Sequence, residues 1–362
     1  MQPIRVLSPE LNLLAEIDDY ESLIFINRWH KPGEFDLYIN KHKKHTDKLV
    51  EGNIVYLSPK KAGIIRKISI KLKSSGKQSE VLEIKGASVS GIIGQRIIIP
   101  PTGQAHDEVT GNVETVIKHF VDNQIANPDN LLRKVAVLET ATDQSKGEEI
   151  TRRGRFQKLS NFIESISKYS GLGWNVEVDI VNEKLVFEVY EGKILTTEQV
   201  ENPPVIVSPE FGIVESMDYT LNKINYKNFA YVGGQGEGTE RTVEEVGEAE
   251  GMDRFESFID ANQEEDGNLV SVGEQNLADS SVDKYFEAEI LHNSSFVYEQ
   301  DYNLGDLITI QNLDWNITMN ARIVEIQEEY ERSGFKLELT FNRSSPNLIS
   351  EIKKEMDSAD FS

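Results

Sequence analysis

The sequence predicts an α+β, β-rich fold in which two β-barrel-like regions flank a smaller α/β domain. Three observations carry this expectation. Apolar and polar residues alternate in short runs from Tyr20 to Ile84 and again from Tyr285 to Phe341, the two-residue period of a strand with one buried face. Between these regions two stretches take up the 3.6-residue period of an amphipathic helix. Pro100-Pro101-Thr102-Gly103 and Asn202-Pro203-Pro204 punctuate the changes of pattern.

The N-terminal β region is placed at residues 1–105. Leu23 to Trp29 is expected as a strand and His30-Lys31-Pro32-Gly33 as a turn. Phe35, Leu37 and Ile39 then alternate with Glu34, Asp36 and Tyr38. Ile54 to Leu57, Ile64 to Leu72 and Val81 to Lys85 follow, the last two joined by a hairpin loop at Lys73 to Lys77. Several short strands at such spacing fit a small barrel or sandwich.

Residues 106–204 form the expected α/β domain of two helices and a hairpin. Val113, Val116, Ile117, Phe120 and Val121 lie on one helical face, with Asn112 placed to cap the N-terminus. A second helix is expected from about Arg155 to Tyr169, its face made by Phe156, Leu159, Ile163 and Ile166 and its end by Gly171. Trp174, Val176, Val178 and Ile180 then alternate, Asn182-Glu183 turns the chain, and Leu185, Phe187 and Val189 alternate back.

Residues 205–284 are expected to hold strands at Val205–Val207, Ile213–Leu221 and Asn228–Val232, followed by an acidic, partly helical excursion. From Gly236 to Asp266 the chain carries twelve acidic and two basic residues, with Met252, Phe255, Phe258 and Ile259 at helical spacing; a solvated charged face is the plain account. The second β region, 285–345, has strands expected at Asp306–Ile310, Trp315–Thr318, Ala321–Ile326 and Phe335–Phe341, with Ser333-Gly334 turning the last hairpin. Ser345-Pro346 starts a short C-terminal helix or tail, 346–362.

Composition narrows the function. With 38 basic against 61 acidic residues the net charge is -23, which argues against stable nucleic-acid binding, where clustered Lys and Arg grip phosphate. The absence of cysteine excludes disulfides, thiolate metal sites and a Cys nucleophile. Met1 to Glu10 shows no signal-peptide pattern, and no apolar run approaches the ~18 residues that span a bilayer.

No motif specifies catalysis, a cofactor or a metal, and the chain is expected not to be an enzyme. The histidines are His30, His42, His45, His106, His119 and His292. His42 and His45 have metal-like spacing, but three lysines in the same run disfavour a divalent cation. Gly86-Ala87-Ser88-Val89-Ser90-Gly91 lacks the glycine that a nucleophile elbow needs two residues after Ser88 and is expected as a turn or strand kink. Gly233-Gly234-Gln235-Gly236-Glu237-Gly238 lacks the last glycine of a dinucleotide fingerprint, position 239 being Thr; backbone at positive φ or close packing is expected instead. Asn262, Glu264, Asp266 and Gly267 partly match a calcium loop, but Gly273 stands where the bidentate Glu belongs and Glu274 comes one residue late.

Several segments resemble a family of siphophage tail proteins whose members act as the tail-tip or baseplate hub. They are Asp18-Asp19-Tyr20-Glu21-Ser22-Leu23, Arg28-Trp29 with Gly33 to Asn40, and Gly91-Ile92-Ile93-Gly94-Gln95-Arg96. Gly173-Trp174, Tyr231 to Gly238 with Arg241, and Tyr302-Asn303-Leu304-Gly305-Asp306-Leu307 complete the set, in order across about 18–345. The resemblance implies a baseplate-hub-like fold and a structural role in the virion tail tip. It implies a homotrimer whose paired β regions match the hexameric distal tail protein, with the tape measure protein and receptor-binding or fibre proteins as further partners. Some relatives carry a long C-terminal extension with a hydrolase or receptor-binding module; this sequence stops at Ser362, and that departure is read as favouring a hub alone over lytic activity. Two other readings stand beside the hub: a carbohydrate-binding adhesin using Trp29, Trp174 or Trp315, each expected within a strand pattern, and a peptidoglycan hydrolase.

Overall fold

The computed structural model describes residues 2–72, 78–262, 268–280, 283–290 and 295–342. These fall into two compact units, one within Met1–Met217 and Glu287–Ser344, the other within Asp218–Phe286. Strands dominate, as the alternation predicts.

The first unit opens with two strands that the alternation did not disclose, β1 (Ile4–Leu7) and β2 (Leu13–Ile17). The edge strand β2 buries only Ala15 and Ile17 and leaves Leu13 and Leu14 outside, so its pattern is too short to read. The strands β3 (Ser22–Arg28), β4 (Glu34–Asn40), β5 (Ile54–Ser58), β6 (Lys61–Leu72) and β7 (Gln78–Ser88) lie where alternation places them. The loop expected at 73–77 is outside the described residues.

A 3₁₀ turn at Val89–Gln95 follows, so the stretch that superficially resembles a nucleophile elbow is the end of β7 running into that turn. Its serines are buried. Ser88 Oγ accepts from the Gly33 amide at 2.9 Å, and Ser90 Oγ accepts from the Val176 amide at 2.9 Å while bonding Asn175. Ser90→Ala is therefore expected to cost about 1 kcal/mol, read as a lower urea midpoint with an unchanged slope.

The α/β part contains β8 (Asp107–Asn112), α1 (Val113–Val121), β9 (Leu138–Thr140), β10 (Glu149–Gly154), α2 (Leu159–Ser170), β11 (Gly173–Asp179) and β12 (Lys184–Tyr190). Asn112 does occupy the N-cap of α1, but its side chain makes no cap bond. Its amide donates instead to Gly147 O, and the first helical amides of Val113 and Glu114 donate to the carbonyls of Glu148 and Lys146. The free amides of a helix start are here satisfied by neighbouring backbone. Helix α2 starts four residues later than expected. Residues 156–158 bend and hydrogen-bond to Ile97 and Ile98 instead, with Phe156 at φ +52 and Lys158 bridged to Ile97. Gly171 ends the helix in the left-handed conformation at φ +76. At the hairpin turn Asp179 accepts the Val181 and Asn182 amides, and Glu183 sits at φ +53. One core joins both helices to β11, β12 and the 3₁₀ turn, and takes in Leu7, Ile54 and Ile64 from the N-terminal strands.

Short strands β13 (Ile194–Leu195) and β14 (Ile206–Val207) follow, then β15 (Val214–Asn222). The second unit holds β16 (Phe229–Gly233), β17 (Val243–Val246), β18 (Glu256–Asp260) and α3 (Leu269–Asp279). Strand β16 is central, antiparallel to β17 and parallel to β18. Here the helical spacing of Met252, Phe255, Phe258 and Ile259 misled: Gly251–Asp253 is a single 3₁₀ turn, and Glu256–Asp260 is a strand with alternating exposure. The five-residue run pairs with β16, and tertiary pairing overrides local spacing. Helix α3 covers the face bearing Ala230, Val232 and Val246. Only Asn262, Gly273 and Glu274 of the partial calcium loop are described; residues 263–267 lie outside, as do 343–362 with the expected C-terminal helix.

The chain returns through β19 (Asp283–Ile290), β20 (Leu307–Asn312), β21 (Ile317–Glu331) and β22 (Gly334–Asn342). The two strands expected within 315–326 are one fifteen-residue strand, β21. Trp315 belongs to the turn before it, beside Asn316 at φ +52, and is 46% exposed, which corrects its placement in a strand. The parallel strands β13 and β14 pair with β20, and β20 pairs with β21.

The two β regions are not separate sheets. Strand β21 pairs antiparallel with β3 over Glu325↔Arg28 to Glu331↔Ser22, giving the order β22-β21-β3-β4-β7-β6-β5-β1-β2. That sheet is strongly curled. Strands β6 and β21 are four steps apart, roughly 19 Å in a flat sheet, yet Lys61 Nζ of β6 lies 2.7 Å from Glu328 Oε1 of β21. Inside the curl lie Phe25, Phe35, Leu37, Ile39, Val55, Ile65 and Ile84.

Candidate functional site

Three of the segments that resemble the tail-protein family meet at one side chain, Trp29. Strand β3 delivers it at the end of its pairing with β21, where the Trp29 amide donates to Val324 O at 2.9 Å. The indole Nε1 donates to Gly171 O at 2.9 Å, at the end of α2. The Trp174 amide donates to Trp29 O at 3.2 Å, and the Trp174 indole to His30 O at 2.8 Å. Both tryptophans are buried with their polar tips satisfied, which is what burial of an indole requires.

Gly173 and Gly305 explain themselves at this point. A Cβ on Gly173 would lie 2.3 Å from the Trp29 ring, and one on Gly305 would lie 2.2 Å from it; Gly305 also has φ +93. The ring is slotted between two backbones that only glycine lets approach. The Arg322 guanidinium donates to Gly305 O from β21, and the Gly305 amide donates to Ile323 O. The N-terminal strands, the α/β part and the C-terminal strands are thus locked at one position.

A second joint lies within the curled sheet. Lys61, buried at the start of β6, pairs with Glu328 at 2.7 Å and Glu299 at 2.8 Å, and sits 5.1 Å from the centre of the Tyr298 ring. The Tyr330 hydroxyl donates to Glu328 Oε1 at 2.8 Å. Burial pushes the Glu328 carboxyl above the usual carboxylate range, although Lys61 and the Tyr330 hydrogen bond pull it down. Burial likewise raises the Tyr298, Tyr302 and Tyr330 phenols, so they stay protonated. Glu328 Oε2 and the Tyr302 hydroxyl have no hydrogen-bond partner among the described residues.

A second ionic cluster ties α1 to β12. Glu114, fully buried, holds Lys118 at 2.6 Å, and Lys118 also reaches Glu188 at 3.0 Å and Thr142 O at 3.0 Å. His119 pairs with buried Asp107 at 2.8 Å, and Gln124 donates to the other Asp107 oxygen at 3.1 Å. These groups brace helix against strand.

The remaining sequence candidates are placed as follows. His42 and His45 lie in the segment after β4, where Lys43 pairs with Asp19. No group of ligating side chains suited to a metal occurs among the described residues. The glycine cluster after β16 is clamped by Arg241, whose guanidinium donates to Gly233 O at 3.0 Å and Gly234 O at 3.1 Å and pairs with Asp260. Gly236 and Gly238 have φ +99 and +59, and a Cβ on Gly233 would meet the Arg241 guanidinium at 2.7 Å. Positive φ and close packing are both present, as expected. The joints at Trp29 and Lys61 were not foreseen, because their members are separated by up to some three hundred residues of sequence. No described helix is long and apolar enough to cross a membrane.

Residues 3–341 match the family described as Siphovirus ReqiPepy6 Gp37-like protein. The chain belongs to this family. The siphophage kinship expressed by the ordered motifs is thereby established. Among curated proteins none matches. Solved structures give the same fold. The 43 kDa tail protein of prophage MuSo2 from Shewanella oneidensis is similar over 94% of this chain and 98% of its own, at 11% identity and a TM-score of 0.59. A tail protein from Neisseria meningitidis MC58 is similar over 95% and 97%, at 14% identity and 0.56. The prophage tail protein gp18 from Listeria monocytogenes is similar over 99% of both chains, at 12% identity and 0.51.

Proposed function

We propose that this Gp37-like chain is the structural hub of a phage tail tip, a non-enzymatic homotrimer that closes the tail tube and links the distal tail protein ring to the rest of the tip. The observation that carries the reading is the pairing of β21 with β3, which joins two β regions from opposite ends of the chain into one curled sheet. In this reading each β region supplies one barrel-like half. Three chains then present six halves to a hexameric ring, by a heterologous contact that closes. The nearly complete mutual coverage of prophage tail proteins supports it. So does the locking at Trp29, since a tube closure must keep its halves in fixed register. Tape measure protein and fibre or receptor-binding proteins are the other partners proposed.

Light scattering of the protein mixed with the distal tail protein ring tests this. The expected product is one ring carrying three copies; absence of any complex with the ring overturns the hub. Zymography on cell walls is expected to show no clearing. Clearing that vanishes with one carboxylate substitution would make the chain a hydrolase.

A second reading has one observation in its favour. Trp29 and Trp174 are buried, but Trp315 is about half exposed beside exposed Leu313, and an accessible indole is the stacking platform of a sugar-binding adhesin. Glycan binding abolished by Trp315→Ala with the fold intact would establish it.

A further inference from the structure

The second unit leaves one face of its sheet open. Helix α3 covers the face bearing Ala230, Val232 and Val246, so the alternation of β16 turns Phe229, Tyr231 and Gly233 to the other side. The register sets Glu245 of β17 and Phe258 of β18 on either side of Tyr231. It sets Val243 and Asp260 beside Gly233, and Glu256 beside Phe229. Phe258 is 61% exposed.

Two arginines lie down on this face and are held there. Gly233, having no side chain, leaves the place that the Arg241 guanidinium fills. Arg241 donates to the carbonyls of Gly233 and Gly234, pairs with Asp260, and sits 5.4 Å from the centre of the Phe258 ring. Arg254 lies 3.3 Å from the centre of the Phe229 ring, pairs with Glu256 at 2.6 Å and donates to the Tyr231 hydroxyl at 3.0 Å. The result is a central row of Tyr231 and Phe258 with an arginine–carboxylate pair on each side. Each pair fixes its carboxylate before a ligand arrives, which lowers the ordering cost of binding.

The chemistry of the face selects its ligand. Each arginine is matched by a carboxylate, so an anion finds no uncompensated cation there. Glu245, exposed and without an ion pair among the described residues, repels it further. A cation would have to lie against two guanidiniums. What the face offers is aromatic carbon and exposed carboxylates, Glu256 and Asp260 each being about half exposed, and carboxylates only accept hydrogen bonds. That combination suits an uncharged molecule with C–H faces and hydroxyl donors.

We infer that the open sheet face around Tyr231 and Phe258 binds a neutral saccharide, its C–H face on Phe258 and its hydroxyls on Glu245, Glu256 and Asp260. This goes beyond the hub reading, and it puts sugar recognition on a different unit from Trp315.

The test is binding of the full chain to a glycan array that carries neutral hexose and N-acetylhexosamine oligosaccharides beside sialylated and sulfated ones. The strongest neutral binder is then titrated by calorimetry. Binding is expected among the neutral glycans and is expected to be the same at low and high salt, since no charge pair across the contact is screened. Phe258→Ala, at an exposed position, is expected to weaken it by about tenfold or more, while circular dichroism stays native. Phe258→Trp keeps a ring and is expected to retain binding. No glycan bound, binding confined to the anionic glycans, or binding that survives Phe258→Ala, as it would if Trp315 were the platform, overturns the inference. The hub reading is judged separately, by assembly with the distal tail ring, which Phe258→Ala is expected to leave intact. Ring assembly lost with Phe258→Ala would show that this face takes a protein, and it would overturn the saccharide while supporting the hub.

Discussion

Replacing Trp29 by alanine is expected to cost about 3–5 kcal/mol, the range for removing a buried aromatic from a packed site. At ~2–4 °C per kcal/mol for a large domain, the melting temperature should fall by on the order of 10 °C. The cost has three parts: the lost ring contacts, the orphaned Gly171 carbonyl, and a slot between Gly173 and Gly305 that stiff backbone cannot collapse to fill. Gly305→Ala probes the slot from the other side, since its methyl would sit 2.2 Å from the ring at a backbone φ of +93. The two changes touch the same space, so the double variant should be less destabilised than their sum. Additive losses in calorimetry would show that Trp29 and Gly305 do not share a joint.

Removing the Lys61 cation is the other large effect. Lys61→Met leaves Glu328 buried with no cation beside it, and breaking a buried pair from one side costs about 3–5 kcal/mol. The penalty must depend on pH. Burial already raises the Glu328 carboxyl in the folded protein above its ordinary value of about 4.5, and loss of Lys61 raises it further. The folded state then holds a proton that the unfolded state has released, so stability is greatest below about 4.5 and declines as pH rises through the folded value. Lys61→Met should therefore be nearer wild type at acid pH than at neutral pH in denaturant titrations. Lys61→Met/Glu328→Gln should recover much of the loss at neutral pH, because no charge is left to bury. A penalty equal at both pH values would show that Lys61 acts through packing alone.

Local chemistry made much of this fold legible. Strands β3 to β7 and the β11–β12 hairpin follow period-two alternation because each has one face in a core and the other outside it. Helix α1 was equally plain, and Gly171 marked the end of α2 by its left-handed backbone. The misses have particular causes. The edge strand β2 buries too few residues to show a period. The start of α2 was placed too early because Phe156 fits the helical face by spacing, while its amide is taken by Ile98 O of a distant segment. Residues 256–260 were drawn into a helical pattern because five residues satisfy either period, and only β16 decides between them. Trp315 was placed in a strand by its neighbours, where the chain in fact turns.

The sequence by itself determined the β-rich class, the two helices between β regions, the close packing of the glycine run and the siphophage kinship, since each rests on spacing or motif within a few residues. Only the tertiary structure decided that the two β regions are one curled sheet and that Trp29 is the joint among three segments. Those facts depend on strand pairings such as Glu325↔Arg28 and on the Lys61–Glu328 contact across the curl. A local pattern fixes which face of a strand is buried, but not which distant strand will satisfy its edge.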